Sequence, residues 1–271
     1  MTEPHSKLEI ADGIATFTLT RPEARNALSL QVRDEIAEMI AAVRGNDEVK
    51  ALIIIGSGGV FCAGGDTKAM AAAGGLGKAD QVRSRVLDVH AWLEPLYNLD
   101  CQVIAAVDGP AYGGGFSLAL VADFIVATTR AQFCAVFGRI GLIPDMAMLY
   151  TLPRMVGGQR AKELMCTARA FGAQEAQDMG IVLEVCEPDE LMDQARALAG
   201  RLAVGSKSAQ AATKALVNQS LHQDYRSMAE MEASAQAVCF DSDYHAEAIA
   251  RFAAKQPLAY DWNKLSKSKE K

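Results

Sequence analysis

Apolar and polar residues alternate near the start of the chain. Residues 8–20 read LEIADGIATFTLT, with Asp12 and Gly13 at the centre. Alternation with a period of two is typical of a strand that buries one face, and an Asp-Gly pair favours a tight turn between two such strands. The pattern therefore predicts an antiparallel hairpin.

Two uninterrupted apolar runs predict strands that are covered on both faces. Residues 51–56 read ALIIIG and lead into the glycine-rich stretch GSGGVFCAGGD, while residues 103–107 read VIAAV and lead into DGPAYGGG. Such runs are typical of parallel strands, because helices cover both sides of the sheet. Shorter apolar runs predict further strands at residues 124–128, 133–137 and 181–185.

Helical spacing is found between the predicted strands. Ser29, a favoured N-cap residue, precedes a segment whose apolar residues share one helical face, namely Ile36, Met39, Ile40 and Val43. A longer amphipathic helix is indicated by apolar residues that recur at spacings of four and three, at Val82, Val86, Val89, Leu93 and Leu96. Strands alternating with helices in this way indicate an α/β protein.

The end of the chain has a different pattern. Only helical spacing follows Pro188, and it is interrupted near Gly205 and at residues 241–243. We therefore expect two regions, an α/β core over residues 1–190 and a helical C-terminal segment over residues 191–271.

Composition narrows the classes of protein that the chain can represent. With 271 residues, 50% of them hydrophobic, the chain is long enough to bury a sizeable core. Its net charge of −6 argues against a nucleic-acid surface, which needs clustered Lys and Arg. No apolar run is long enough to cross a membrane, and the N-terminal MTEPHSKLEI lacks the basic start and apolar stretch of an export signal. We therefore expect a cytoplasmic protein without a nucleic-acid or membrane partner.

Cysteine and histidine residues give no sign of a metal site. The six cysteines lie far apart in apolar surroundings, at Cys62, Cys101, Cys134, Cys166, Cys186 and Cys239. We expect them to be reduced and to pack as small apolar side chains. The four histidines include no pair at metal-binding spacing, so we expect no bound metal.

The two glycine-rich stretches each lie between a predicted strand and a helix, where backbone N–H groups can bind an anion. Neither stretch contains the G-K-[ST] of a phosphate loop, and Phe61 stands where a dinucleotide-binding loop has its third glycine. A serine-hydrolase elbow needs G-x-S-x-G, but around Ser117 the last glycine is replaced by Ala119. Two interpretations remain: an oxyanion hole formed by one N–H from each loop, and glycines that serve only tight turns.

Several stretches, in the order found here, resemble the crotonase, or enoyl-CoA hydratase/isomerase, superfamily. They are TLTRPEARNALS, GVFCAGGD, AAVDGPAYGGGFSLALVADFIVAT, AQFCAVFGRIGLIPD, LYTLPRMVGGQRAKELMCTARAFGAQEAQDMGIV and the terminal RFAAKQP, and they cover nearly the whole chain. The resemblance implies a spiral of strand-strand-helix repeats and a C-terminal helical region that forms homotrimers, often paired into hexamers. It also implies an acyl-coenzyme A thioester as substrate, with coenzyme A entering as part of that substrate and no prosthetic group.

The resemblance also assigns residues to the oxyanion hole and to coenzyme A. In the family pattern, the hole consists of the N–H before the aspartate of the first loop and that of the middle glycine of the second, here Gly65 and Gly114. The A-R-N segment and the A-G-x-D turn of the coenzyme A site match Ala24, Arg25, Ala63 and Asp66. A late Phe-x-x-Lys, which in the family reaches the nucleotide end, often from a neighbouring subunit, matches Phe252 and Lys255.

Departures from the family pattern bear on the reaction. Members that hydrate enoyl thioesters carry two glutamates, and Ser117 and Phe137 stand at those positions here. Adding water needs one group to activate it and another to handle the proton on the α-carbon, so hydration is disfavoured. Asp145, within GLIPD, matches a third position, used by some enoyl-CoA isomerases and by ring-epoxide isomerases of phenylacetyl-CoA catabolism. The chain therefore resembles an acyl-CoA isomerase most, with Asp145 as the catalytic base.

Other interpretations of Asp145 are open. An aspartate that precedes a helix is a favoured N-cap, so its carboxylate could serve the helix that follows. In the aryl-CoA dehalogenase branch, a nearby aspartate attacks the ring with help from a histidine of the long helix, and His90 lies at about that position. A hydrolase with Asp145 as nucleophile, a hydratase-like protein with weak or no hydration, and a non-catalytic acyl-CoA binder are further alternatives.

An apolar pocket for the acyl group is predicted around the base. Its expected residues are Met70, His90, Ser117, Phe137 and Met146, and flexible methionines suit a pliable pocket. Residues 67–80, rich in Ala and Gly, are the expected lid. The direction in which the pKa of Asp145 shifts is open, since a helix N-terminus would lower it and apolar surroundings would raise it.

Overall fold

Two β-sheets form the centre of the computed structural model, which describes residues 3–66 and 79–267. The strands of the described residues are β1 (Ser6–Ala11), β2 (Ile14–Leu19), β3 (Ala51–Gly56), β4 (Gln102–Val107), β5 (Pro110–Tyr112), β6 (Phe124–Thr128), β7 (Gln132–Cys134), β8 (Ala170–Gly172) and β9 (Glu184–Cys186). The larger sheet has the order β1-β2-β3-β4-β6-β9 and is parallel apart from its β1–β2 pair. The smaller sheet has the order β5-β7-β8.

Helices lie between and after these strands. Over the described residues they are α1 (Leu30–Arg44), α2 (Ala79–Tyr97), α3 (Gly114–Leu120), α4 (Met148–Thr167), α5 (Ala173–Asp178), α6 (Leu191–Ala203), α7 (Lys207–Gln219), α8 (Tyr225–Phe240), α9 (Asp243–Ala253) and α10 (Trp262–Lys267). Short 3-10 helices occur at Pro22–Ala24 and Val136–Ile140. In this part of the chain, no helix combines the length and apolarity needed to cross a bilayer.

Residues of the larger sheet alternate between two apolar layers. Ile53 and Ile104 pack on one side with Leu198 of α6. Their neighbours Leu52 and Val103 belong to the other layer, which also contains buried residues of α1, α2 and α3. Because both faces are covered, β3 and residues 103–107 of β4 favour apolar side chains and read as uninterrupted apolar runs, and the buried Gln102 at the start of β4 is the exception.

Most of the predicted elements are confirmed. β1 and β2 pair on either side of Asp12 and Gly13, and the Ser29 hydroxyl accepts a hydrogen bond from the Val32 N–H at 3.3 Å. The C-terminal helices break near Gly205 and at residues 241–243, as predicted. They also break between α7 and α8 and between α9 and α10, which the sequence analysis did not indicate. The fold class is therefore α/β with a helical C-terminal segment.

Some element predictions are wrong in extent. The strand predicted at residues 133–137 ends at Cys134, because the chain then turns into the 3-10 helix. The strand predicted at residues 181–185 forms only over Glu184–Cys186, where β6 provides a pairing partner. The apolar stripe of the long helix is buried from Val89 onward, whereas Val82 is 42% exposed.

A buried ion pair joins the C-terminal helices to the larger sheet. Lys214 of α7 is 7% exposed, and its Nζ lies 2.6 Å from Oδ2 of Asp123 and 3.1 Å from the Cys101 carbonyl oxygen. The same Asp123 oxygen accepts a hydrogen bond from the Val103 N–H of β4 at 2.7 Å. Burial raises the pKa of Asp123, and Lys214 opposes that shift. Each buried charge is therefore stabilised by the opposite charge of its partner.

We expect Lys214→Met to lower the free energy of unfolding by about 3–5 kcal/mol, because it leaves the Asp123 carboxylate buried without its counter-ion. Urea denaturation at neutral pH measures the loss. Lys207→Met is the matched control, since Lys207 lies on the same helix but pairs with the fully exposed Asp47, and its loss should be far smaller. Equal losses in the two variants would contradict a stabilising role for the buried pair.

Candidate active site

The chain segments that follow β3 and β4 meet side by side. Cys62, after β3, donates its N–H to the Pro110 carbonyl at 3.1 Å, and its own carbonyl accepts from the Tyr112 N–H at 2.9 Å. Pro110 and Tyr112 are the ends of β5, and α3 begins at Gly114 shortly after it. Main-chain hydrogen bonds therefore hold the two glycine-rich stretches together.

Glycine is required at two positions of this junction. Gly64 has a φ of +91°, and a Cβ there would lie 2.8 Å from both the Gly114 nitrogen and the Tyr112 oxygen. A Cβ on Gly115 would collide with the Cys62 carbonyl. A larger residue at either position would push the two loops apart. These glycines therefore allow the two loops to approach each other closely. Tight turns alone would not need so close an approach.

The amides of Gly65 and Gly114 lie at this close approach. Gly114 is the buried first residue of α3, and amides in the first turn of a helix have no partner within that helix. Neither the Gly65 N–H nor the Gly114 N–H donates to an acceptor within residues 3–66 and 79–267. Two such donors in adjoining loops are suited to an oxygen that gains negative charge, as in an oxyanion hole.

A turn before α1 holds the first loop. Arg25 and Asn26 both have a φ of +52°, and Asn26 Nδ2 donates to two carbonyls of the loop at 3.0 and 2.7 Å. The Ala63 N–H donates to the Arg25 carbonyl at 3.0 Å. The residues matched to the coenzyme A site before and within the first loop, Ala24, Arg25 and Ala63, thus lie close together.

The other residues matched to coenzyme A are placed differently. Asp66 Oδ2 lies 4.0 Å from Nη1 of Arg21, an ion pair at the limit of contact. Phe252 is the penultimate residue of α9, and Lys255 follows that helix. α9 packs against α8, and Phe252 is 72% exposed in the single chain.

Asp145 is positioned next to the second loop by a turn in an uncommon conformation. Met146 and Ala147 have φ values of +50° and +63°, in the left-handed region that non-glycine residues rarely adopt. Met146 is buried, and its Sδ lies 2.8 Å from the place of a Cβ on Gly114. Ser117 of α3 donates its hydroxyl to the Asp145 carbonyl at 3.0 Å. Contacts with α3 therefore hold the turn in place.

Asp145 does not cap the helix that follows it. α4 begins at Met148 with Ala147 as its N-cap residue, and no side chain makes a capping hydrogen bond there. The Asp145 carbonyl, rather than its carboxylate, accepts from the Met148 N–H at 3.1 Å. The interpretation of Asp145 as an N-cap side chain is therefore wrong.

Burial raises the pKa of the Asp145 carboxyl above its ordinary value. The positive charge of Arg33 opposes this shift, and that of His90 opposes it less. The effect of burial on the pKa of Asp145 is larger than that of the two cations, so the pKa is raised. The sequence left this direction open. A carboxylate with a raised pKa is a stronger base than an ordinary aspartate, which suits the removal of a proton from carbon.

The structure brings only some of the other residues predicted for the acyl pocket together: Ser117 and Phe137 lie at the second loop, whereas His90 lines a cavity that neither of them lines. Phe137 is buried against the second glycine loop, and Ser117 is fully buried. His90 lines a cavity of about 420 Å³ together with Ala147. Met70 and residues 67–78 of the predicted lid lie outside the described residues, and the last two lid residues, Ala79 and Asp80, begin α2.

Arg33 is a charged residue of this region to which the sequence analysis assigned no role. It lies on α1, is half-buried, and interacts electrostatically with Asp145 and with Arg85 of α2. The only signal in the sequence is a cation next to Val32, a buried position of α1. Helical spacing assigns such a cation to the polar side of the helix, so the pattern alone does not identify it.

The chain is similar to known proteins over nearly its whole length. A family model described as enoyl-CoA hydratase/isomerase matches residues 9–263. A probable enoyl-CoA hydratase of Rhodobacter capsulatus is 36% identical over 251 residues, 93% of this chain and 95% of the relative. The 4-chlorobenzoyl coenzyme A dehalogenase-2 of an Arthrobacter species is 31% identical over 259 residues, 94% of this chain and 92% of the relative. A crystal structure of an enoyl-CoA hydratase/isomerase from Cupriavidus metallidurans superposes with a TM-score of 0.90 at 34% identity, covering 96% of this chain and 97% of that one.

We expect Asp145→Asn to raise the free energy of unfolding at neutral pH. The raised pKa means that the unfolded chain releases this proton before the folded protein does, so stability falls as pH rises from the ordinary Asp pKa to the folded value. Asparagine keeps the shape and removes the charge, and the gain is about 1.4 kcal/mol for each unit by which the pKa is raised.

Thermal unfolding between about pH 4 and pH 7 measures this difference. The melting temperature of the Asn variant should exceed that of the wild type increasingly as pH rises. Asp34→Asn, at an exposed position of α1, is the control and should show no such trend. A less stable Asn variant at neutral pH would contradict the expected cost of burying the carboxylate.

Proposed function

Because the chain belongs to the enoyl-CoA hydratase/isomerase family of the crotonase superfamily, we propose that it is an acyl-CoA isomerase that moves a double bond. The substrate is a β,γ-enoyl-CoA thioester or a related ring-derived acyl-CoA, and an acyl-CoA thioester is consistent with the family. The observation that carries the proposal is the half-buried Asp145, whose main chain is held against α3 and whose pKa is raised by burial. Ser117 and Phe137 stand where the pattern of hydrating family members has glutamates.

The proposed reaction is a 1,3-proton shift. The thioester carbonyl oxygen accepts hydrogen bonds from the N–H groups of Gly65 and Gly114, which stabilise the negative charge that develops on it. Asp145 removes a proton from the α-carbon, and the electrons of that C–H bond form a dienolate conjugated with the β,γ double bond. The protonated Asp145 then returns the proton to the γ-carbon, the carbonyl re-forms, and the double bond lies between the α- and β-carbons.

One carboxylate suffices for this reaction because it serves first as base and then as acid. Hydration would need a second group to activate water, and neither residue at the glutamate positions supplies it. The Ser117 hydroxyl donates to main-chain carbonyls, at 3.0 Å to Asp145 and 3.3 Å to Gly113. Phe137 has no polar atom in its side chain. The local chemistry therefore favours isomerisation over hydration.

We expect Asp145→Ala and Asp145→Asn each to lower kcat for 3-hexenoyl-CoA isomerisation by about 10²–10⁴-fold, since the base is removed. The absorbance of the conjugated thioester follows the reaction, and Asp34→Asn serves as the control. In the wild type, kcat/KM should fall as pH is lowered through a pKa above the ordinary Asp value, because the base must be ionised. Full turnover in both Asp145 variants would refute the assignment. Acyl-CoA binding without exchange of α-protons into deuterated water would indicate a non-catalytic binder.

Substitution on an aryl-CoA is a second candidate, with Asp145 as the nucleophile. His90 favours it, because this histidine interacts electrostatically with Asp145 and lines the cavity next to Ala147. The Arthrobacter relative carries the name of such a dehalogenase. In this reaction a carboxylate oxygen bonds to the ring carbon, halide leaves, and water hydrolyses the resulting ester at the carboxyl carbon. The carboxylate thereby keeps an oxygen from water.

A single turnover of 4-chlorobenzoyl-CoA in oxygen-18 water distinguishes the two candidates. The nucleophile route labels the Asp145 carboxylate, which peptide mass spectrometry detects, whereas the isomerase exchanges no carboxylate oxygen. We expect no label, and we expect His90→Gln to retain isomerase activity. Label in Asp145 together with a large loss of halide release in His90→Gln would favour substitution.

We also propose where coenzyme A binds. Its site comprises the turn with Ala24 and Arg25 and the adjoining Ala63 and Asp66, which the main-chain hydrogen bond from Ala63 to Arg25 supports. In this proposal Phe252 and Lys255 contact the nucleotide end of the coenzyme A portion of the substrate. Because Phe252 is 72% exposed in the single chain, these residues are accessible to a neighbouring subunit.

A homotrimer or a dimer of trimers is the proposed assembly. The support is a set of large apolar side chains on the C-terminal segment that are more than half exposed in the single chain: Val217, Leu221, Val238, Phe240 and Ile249. Such surfaces are typical of interfaces. Analytical ultracentrifugation gives the mass of the assembly and separates the two states from a monomer.

A further inference from the structure

The two glycine-rich stretches approach each other at a second place, before the contact at Cys62. A Cβ on Gly109 would lie 2.1 Å from the Gly59 carbonyl oxygen, so these residues also meet at main-chain distance. Farther along, Cys62 and Ala111 form an isolated parallel bridge. The stretches therefore run in parallel, and their alignment begins at Gly59 and Gly109 and continues toward the amides of the proposed oxyanion hole.

One guanidinium contacts both stretches where this alignment begins. Arg130, in the turn between β6 and β7, donates from Nε and Nη2 to the two carboxylate oxygens of Asp108, at 2.7 and 2.6 Å. Asp108 directly follows β4. The Arg130 Nη2 also lies 3.3 Å from the place of a Cβ on Gly59. A single side chain therefore holds the start of the second stretch and lies against the first.

The carboxylate of Asp108 needs this partner. Its side chain is only 12% exposed, whereas that of Arg130 is 56% exposed. Another partner is the Thr128 hydroxyl, which donates to Oδ1 at 2.9 Å. Hydrogen bonds from Arg130 lower the pKa of Asp108, so the carboxylate is ionised at neutral pH. Two parallel hydrogen bonds to a planar guanidinium also fix its orientation, which a single-contact surface pair does not.

Resting on the proposed function, we propose that Arg130 acts through Asp108 as a positioning residue for the oxyanion hole. Without the guanidinium, the carboxylate is left largely buried without its counter-ion, so it turns toward water and moves the main chain at the start of the second stretch. The two stretches then lose their alignment, which displaces the amides of Gly65 and Gly114 relative to each other. In this assignment Arg130 touches no reacting atom.

Infrared spectroscopy of a bound, saturated thioester tests the hole without requiring turnover. The ligand is hexanoyl-CoA with carbon-13 at the thioester carbonyl, because hydrogen bonds to a carbonyl oxygen lower its stretching frequency. In the wild type at saturating ligand, the band should lie below that of the free thioester. In Arg130→Gln it should move back toward the free frequency. A wild-type band at the free frequency, or an unchanged band in Arg130→Gln, would overturn the proposal.

Kinetics give a second readout that a loss of stability alone does not change, provided that circular dichroism shows each variant folded at the assay temperature. With 3-hexenoyl-CoA, Arg130→Gln should lower kcat and kcat/KM by the same factor, about 10–100-fold, because misplaced amides lose transition-state stabilisation while substrate binding is retained. Arg130→Lys keeps the charge without the planar fork and should recover part of kcat. A raised KM with unchanged kcat would contradict the positioning role.

Two further variants serve as controls. Arg169→Gln is the matched one, because Arg169 also pairs with carboxylates, those of Glu163 and Glu175, outside both glycine-rich stretches. It should leave the carbonyl band and kcat unchanged. Asp108→Asn removes the partner charge, so its effect on kcat should not add to that of Arg130→Gln in the double variant. Equal effects in Arg169→Gln, or additive losses in the double variant, would overturn the assignment.

The results separate this proposal from the proposed reaction, since the carbonyl band does not depend on Asp145 as a base. If Asp145→Asn retains turnover while the band still moves in Arg130→Gln, the reaction fails and the positioning role stands. If Asp145 proves essential and the band is the same in Arg130→Gln and the wild type, the reaction stands and the positioning role fails.

Discussion

The main-chain contact between Cys62 and the ends of β5 is the interaction on which the site depends. It holds two loops at backbone distance, and both Gly64 and Gly115 must lack a side chain for that distance to exist. The loops start from β3 and β4, whose burial on both faces leaves them little freedom to shift. A pair of amide donors stabilises a developing negative charge only when both point at the same atom. Because the sheet is rigid, it fixes the positions of the two N–H groups.

The sequence predicted those parts of the fold whose cause is local. The hairpin, the runs of β3 and β4, and the capped α1 follow from periodicity, apolar runs and turn residues. The three-residue strands β5 and β8 were not predicted, because so short a segment shows no periodicity and is defined by its partner. For the same reason the strand at Cys134 ends earlier than its apolar composition suggests. Pairing over long sequence distances is not visible in local patterns.

The features of the candidate site also divide into those that the sequence indicated and those that depend on contacts between distant segments. Asp145 and the paired glycines were found through resemblance to a family, whose motifs record a three-dimensional arrangement. The left-handed turn at Met146 and Ala147 contradicts local preference and exists because α3 holds it. The electrostatic interactions of Arg33 were missed because its partners, Asp145 and Arg85, are far away in the chain, and a cation on an amphipathic helix carries no other sign of its surroundings. Interactions between distant segments therefore account for what the sequence left undecided.

The bond between Lys214 and Asp123 has a consequence for how the protein opens. Asp123 also binds the amide of Val103, so one carboxylate links α7 to the beginning of β4, the strand whose other end leads to the second glycine loop. Detaching α7 would expose a buried charge and release a main-chain donor of the central sheet at once. Local fluctuations that free α7 while the sheet stays intact are therefore costly, and the helix and strand should exchange their amide hydrogens as one cooperative unit.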